Sequence, residues 1–68
     1  MNEFKSILTR LRKEGKISQQ TLASAVGVSQ QCISMWEKGL IDPTLSNLCK
    51  IADFFDVSID FLAGRKDY

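Results

Sequence analysis

Residues 17–39 read ISQQTLASAVGVSQQCISMWEKG, and one short pattern occurs in them twice. Ile17 precedes Ser18, and Leu22 follows four residues after that serine; Val28 precedes Ser29, and Ile33 follows four after it. A serine so placed accepts a hydrogen bond from an unpaired N–H of the first helical turn. The apolar residues on either side close over it as a hydrophobic staple. Leu22, Ala23 and Val26 then supply the buried stripe of one helix, and Ile33 with Trp36 the inward edge of the next. Gly27 ends the first helix, where a left-handed conformation costs glycine nothing, and Gly39 closes the second. Only Gly27, Val28 and Ser29 separate Val26 from Gln30. Two short helices joined so tightly cross at a steep angle, with Ala23 small enough to let them approach.

The pattern extends in both directions. Phe4, Ile7, Leu8 and Leu11 recur at the spacing of one helical face, which predicts a helix from about Glu3 to Lys13, stopped near Gly15. Pro43, Thr44 and Leu48 start a fourth helix, whose Leu45, Leu48, Ile51, Ala52 and Phe55 are expected to face the core. Phe54 and Phe55 are adjacent and cannot share that face equally. Val57, Ser58 and Leu62 repeat the staple arrangement for a last short helix, with Asp60 favourably placed against its N-terminal dipole. Gly64 ends it, and Arg65 to Tyr68 reads as a frayed tail. The expected fold is all-α, a compact five-helix arrangement in which residues 1–68 form a single domain.

Composition narrows the function classes. With 68 residues there is room for one small core and none for a two-lobed catalytic cleft. The chain contains no histidine, so a Cys/His metal site and a histidine general base are both excluded. Cys32 and Cys49 are expected to be reduced thiols of a cytoplasmic protein, since no signal peptide pattern is present. Neither a cofactor nor an enzymatic activity is expected: there is no carboxylate-lined cleft pattern and no phosphate-cradling glycine loop. No window approaches 18 apolar residues, which argues against a membrane span. The net charge is only +1, but residues 1–40 carry +3 and residues 41–68 carry −2. A basic half suits a polyanionic partner better than the total suggests.

A helix about 10–12 Å wide, held out as a separate rod, fits the B-DNA major groove. Here residues 17–39, followed by Pro43, the Leu48/Ile51/Ala52 stripe and Val57-Ser-Ile-Asp-Phe-Leu62, resemble the Cro/C1-type helix-turn-helix domains of phage repressors and related bacterial regulators (the XRE type). The resemblance spans essentially the whole chain. It implies a repressor-like DNA-binding domain whose helix-turn-helix is formed by the second and third helices.

It also implies roles. Residues opening the third helix would reach base edges, which makes Gln30 and Gln31 the leading base-contact candidates, followed by Ser34 and Met35 on the same faces. A glutamine carboxamide matches adenine bidentately in the major groove, and a thioether side chain can meet a thymine methyl. Gln19, Lys38 and Asn47 would contact phosphates. Arg12 and Glu37 match a pair that fixes the third helix against its support, together with Ala23, Gly27, Ile33 and Trp36. Several have an ordinary alternative: Gln30 and Gln31 as soluble surface glutamines, Ser34 as a serine common on any exposed helix, Met35 as half-buried packing, Lys38 as a solvated charge.

The chain also departs from the family pattern. Between Gly39 and Pro43, where relatives often carry basic residues, it has Leu40, Ile41 and Asp42. That removes phosphate contacts and points to modest affinity of a single copy. The expected function is sequence-specific binding of double-stranded DNA by a transcriptional regulator, most simply a repressor. It would act as a homodimer on a palindromic operator, with Ile59 and Phe61, and Leu40 or Ile41 nearby, at the dimer surface. The alternative is a protein-interaction or antitoxin-like module with weak DNA binding, and a regulatory protein partner fits either reading.

Overall fold

A computed structural model describes residues 3–65. The order is α1 (Phe4–Glu14), α2 (Gln19–Val26), α3 (Gln30–Glu37), α4 (Leu45–Phe55) and α5 (Ile59–Leu62). Four helices begin as their sequences predict. Ser18, Ser29, Thr44 and Ser58 stand in extended backbone just before α2, α3, α4 and α5. Each side chain accepts from the N–H three residues on, those of Thr21, Cys32, Asn47 and Phe61. Such a cap contributes about 1 kcal/mol. α1 alone has no side-chain cap.

The helices also end alike. In each case an N–H donates to the carbonyl five residues back: Ile17 to Arg12, Val28 to Ala23, Leu40 to Met35, Val57 to Ala52 and Arg65 to Asp60. That closure needs a left-handed residue one position earlier. Gly27, Gly39 and Gly64 supply it at three ends, as their sequence positions predict, but Lys16 (φ 55°) and Asp56 (φ 56°) supply it at the other two. Gly15, at φ −80°, does not turn the chain after α1; Lys16 does.

Phe4, Leu8, Leu22, Ala23, Val26, Ile33, Trp36, Leu48, Ile51, Ala52 and Leu62 make a single apolar core with no buried polar or charged residue among them. Each larger side chain contributes about 1.5–3 kcal/mol by leaving water. The staple residues Ile17, Val28 and Val57 pack against this core from its edges. α2 packs on α3 and α4, α1 on α3 and α5, and α4 on α5. The Phe4 ring meets the Trp36 indole edge-on, with centroids 6.3 Å apart, which ties α1 to α3.

One expected core residue lies outside. Leu45 is 69% exposed. It is the first residue of α4, and helical side chains lean toward the N-terminus, so it projects beyond the turn that the core covers. Phe54 and Phe55 divide as adjacency requires: Phe55 is half-buried against the core, while Phe54 is exposed and edge-on to it at 5.0 Å. Both thiols are free, Cys32 half-buried and Cys49 exposed. Of the expected tail, Arg65 is exposed and residues 66–68 lie outside the described residues. Among the described residues, no helix is long and apolar enough to cross a membrane.

Candidate nucleic-acid interface

The two edges of α3 are unlike. Ile33 and Trp36 are buried in the core, while Gln30 and Gln31 at its start are exposed. The start is preorganised: Gly27 takes φ 83° with no atom within 4 Å of where a Cβ would stand, and Ser29 caps Cys32. Ser34 and Met35 are half-buried, one turn further along from the two glutamines. Both therefore belong to the margin of the outward face rather than to its centre.

The far end of α3 is anchored. Arg12 of α1 donates from Nε to Glu37 Oε2 at 2.6 Å and from Nη2 to Oε1 at 3.0 Å. Its third donor, Nη1, reaches the Ile17 carbonyl at 3.0 Å, just before the α2 cap. Only 14% of the Arg12 side chain and 8% of that of Glu37 remain exposed. A planar fork at these distances is directional as well as attractive. Burial pushes the Glu37 carboxyl up, but the bonds from Arg12 and Gln19 and the charges of Arg12 and Lys13 outweigh it, so the group sits below the ordinary glutamate range. The bond to Glu37 conversely raises Arg12, against a smaller opposing effect of burial.

Gln19 joins this cluster, which sequence spacing did not reveal. Its Nε2 donates to Glu37 Oε1 at 3.1 Å, so one carboxylate holds α1, α2 and α3 together. Gln19 is the first residue of α2 and half-buried; Lys38 is exposed at the C-cap of α3; Asn47 is half-buried in the first turn of α4. At the end of α3, Gly39 (φ 75°) comes against the side chain of Lys5, and an added Cβ would stand 2.9 Å from its Cδ. A shallow groove of about 350 Å³ runs along α1, lined by Lys5, Ser6, Thr9, Arg10 and Glu37.

The residues expected at a dimer surface differ in exposure. Ile59 is half-buried against the core, and the Arg10 guanidinium lies 5.9 Å from the centre of the half-buried Phe61 ring. Leu40 and Ile41, expected beside them, are among the large exposed apolar side chains of the described residues, with Leu45 and Phe54; Leu40 is 66% exposed.

The sequence and the fold are similar to those of known proteins. The helix-turn-helix family model matches residues 8–62. The cryptic phage CTXphi transcriptional repressor RstR of Vibrio cholerae is 38% identical over 63 residues, covering 93% of this chain and 56% of that protein. The transcriptional activator BcrR of Enterococcus faecalis is 40% identical over 65 residues, covering 96% of this chain and 32% of that protein. The chain thus spans about half of the first relative and a third of the second. The crystal structure of the P22 c2 repressor with a synthetic operator superposes with a TM-score of 0.87 at 32% identity, covering 93% of this chain and 96% of that one. Five helices with the second and third packed as a helix-turn-helix, and a family match over most of the length, carry one conclusion: the chain belongs to the Cro/C1-type helix-turn-helix family.

Proposed function

We propose that the chain is a sequence-specific double-stranded DNA-binding transcriptional regulator, a repressor, that reads the major groove with α3. The observation that carries this is the exposure of Gln30 and Gln31 at the start of a helix whose other edge is buried and whose end is clamped. The rod can enter a groove without giving up any of its own packing. Gln30 and Gln31 make the central base contacts, and Ser34 and Met35 supplement them at the margin. Each bidentate pair is worth about 1–3 kcal/mol of discrimination. Gln19, Lys38 and Asn47 hold phosphates and set the register of the helix without specifying sequence. The 68 residues act in this as one domain, without cofactor or catalysis.

A single α3 covers only a few base pairs, so the active form is a homodimer on a palindromic operator. Its half-sites lie about 34–36 Å apart, one turn of duplex. Repression is favoured by the repressors RstR and P22 c2 among the similar proteins, while BcrR, an activator, shows that the fold serves both outcomes. A selection from random duplexes tests the reading. Wild-type protein enriches a two-fold symmetric site, and Gln30→Ala or Gln31→Ala relaxes it at a few positions in each half. Placing that site over a promoter lowers reporter output. Failure to enrich any sequence overturns the proposal.

One feature favours a second reading, a protein-interaction or antitoxin-like module or the recruitment of a regulatory protein. Leu40 and Ile41 are exposed, with Asp42, where basic residues would have met phosphate. Binding without sequence preference and with a shallow salt slope supports that alternative.

A further inference from the structure

Glu37 anchors the end of α3, and its bond to Gln19 has a second consequence. A glutamine amide carries two N–H donors on one side and an oxygen acceptor on the other, and rotation by a half-turn exchanges them. Glu37 Oε1 accepts from Gln19 Nε2 at 3.1 Å and from Arg12 Nη2 at 3.0 Å, while Oε2 accepts from Arg12 Nε. An ionised carboxylate accepts only, so the flipped amide would set oxygen against oxygen beside a charge. The amide is therefore held in one orientation, with Nε2 toward α3 and its second N–H uncommitted.

We infer that Glu37 is a positioning residue for DNA binding: it orients the Gln19 amide so that the remaining N–H, not the oxygen, is offered to a backbone phosphate. This rests on the DNA-binding reading above. Phosphate oxygens accept and do not donate, so an amide turned the other way would repel the group it is meant to hold. Arg12 has a matching part. Its fork offsets the Glu37 charge, which would otherwise stand one amide away from the phosphate and oppose it. Three residues from three helices thus present one neutral donor, and the donor is fixed before DNA arrives.

The test uses the full chain and the duplex recovered from the random selection, with single uncharged methylphosphonates placed at each phosphate in turn. In wild type the phosphates held by Gln19, Lys38 and Asn47 are the sensitive positions in each half-site, and the one met by Gln19 loses affinity by about tenfold, the range of a hydrogen bond to a charged group. In Gln19→Ala and in Glu37→Gln the Gln19 position alone becomes insensitive, within about twofold, while those met by Lys38 and Asn47 stay sensitive. The double variant binds no more weakly than the weaker single one. Glu37→Gln keeps the shape but lets either amide flip, so the paired Gln19 side-chain ¹⁵N–¹H signals, separate in wild-type protein without DNA, move together or broaden. A role in stability alone would lower binding equally at all phosphates, leave the Gln19 position sensitive and leave those signals in place, and that result overturns the inference. Additive losses in the double variant overturn it too. If wild type binds a selected site but Gln19→Ala changes nothing, the inference fails while the DNA reading stands. Failure of wild type to bind any duplex removes both.

Discussion

The two ends of α3 are held by different physics. At its start, Ser29 caps the helix and Gly27 turns the chain, both through bonds or torsions within a few residues, and Gln30 and Gln31 bear no load. At its end, Glu37 is tied to Arg12, 25 residues away, and to Gln19, 18 residues away, while Gly39 sits against Lys5. The start is locally satisfied and outwardly free. The end is globally bound. On the proposed reading, such a helix can vary its base-contacting residues without unfolding, because Gln30 and Gln31 lie at the end opposite the Arg12–Glu37 clamp.

The strongest way to break that division is Arg12→Ala. It strands a mostly covered carboxylate and should cost about 2–4 kcal/mol, somewhat below the loss for a fully buried pair. In a domain of this size that lowers Tm by roughly 10–20 °C, measured by thermal denaturation. Replacing Arg12 and Glu37 together by methionine should recover much of the loss, since no charge is then left without its partner. A double replacement as unstable as Arg12→Ala would show that the clamp itself, and not a stranded charge, is what the fold requires.

Next in size come the two glycines that flank the unit. Gly39→Ala meets both a left-handed φ and the Lys5 side chain, whereas Gly27→Ala meets the φ alone. The expected costs are about 2 and about 1 kcal/mol in urea titrations, with Lys5→Ala relieving part of the first and none of the second. Equal costs at the two positions would remove the distinction between a locally and a globally held end.

Acid titration sharpens the same contrast. The Glu37 carboxyl is held down in the folded chain, so its contribution is fully present above the unfolded value, roughly pH 4.3, and is lost as pH falls through the folded one. Glu37→Gln should flatten this acid limb of stability, while Ser29→Ala, which removes a neutral cap worth about 1 kcal/mol, should lower the whole curve without changing its slope. An unchanged acid limb in Glu37→Gln would place the acid sensitivity elsewhere.

The smallest stability effects belong to the free end. Gln30→Ala and Gln31→Ala should change folding by under about 0.5 kcal/mol while costing about 1–3 kcal/mol of discrimination at particular base pairs. Lys38→Ala should weaken binding to all sequences and reduce the salt slope by about one, as read in fluorescence titrations at several salt concentrations. Substantial unfolding by either glutamine variant would mean that recognition and stability are not separated after all.

Much of this molecule could be read without coordinates. Ser18, Ser29, Thr44 and Ser58 mark helix starts because a cap acts over three residues, and Gly27, Gly39 and Gly64 mark ends because a left-handed turn acts over one. Such interactions lie within a single turn of chain, so residue order alone decides them, and with them the five helices and their buried stripes. The turns at Lys16 and Asp56 are not legible in the sequence because neither side chain announces a positive φ; the closing bonds and surrounding packing hold them there. Leu45 lies outside the core its spacing predicts because periodicity records which side of a helix a residue occupies, not whether the core extends that far along it. Tertiary structure alone decided that Gln19 meets Glu37, that Lys5 lies against Gly39, and that Arg10 stacks over Phe61. Those partners come from different helices, and their meeting depends on how the whole core packs, a many-body outcome that no local spacing encodes.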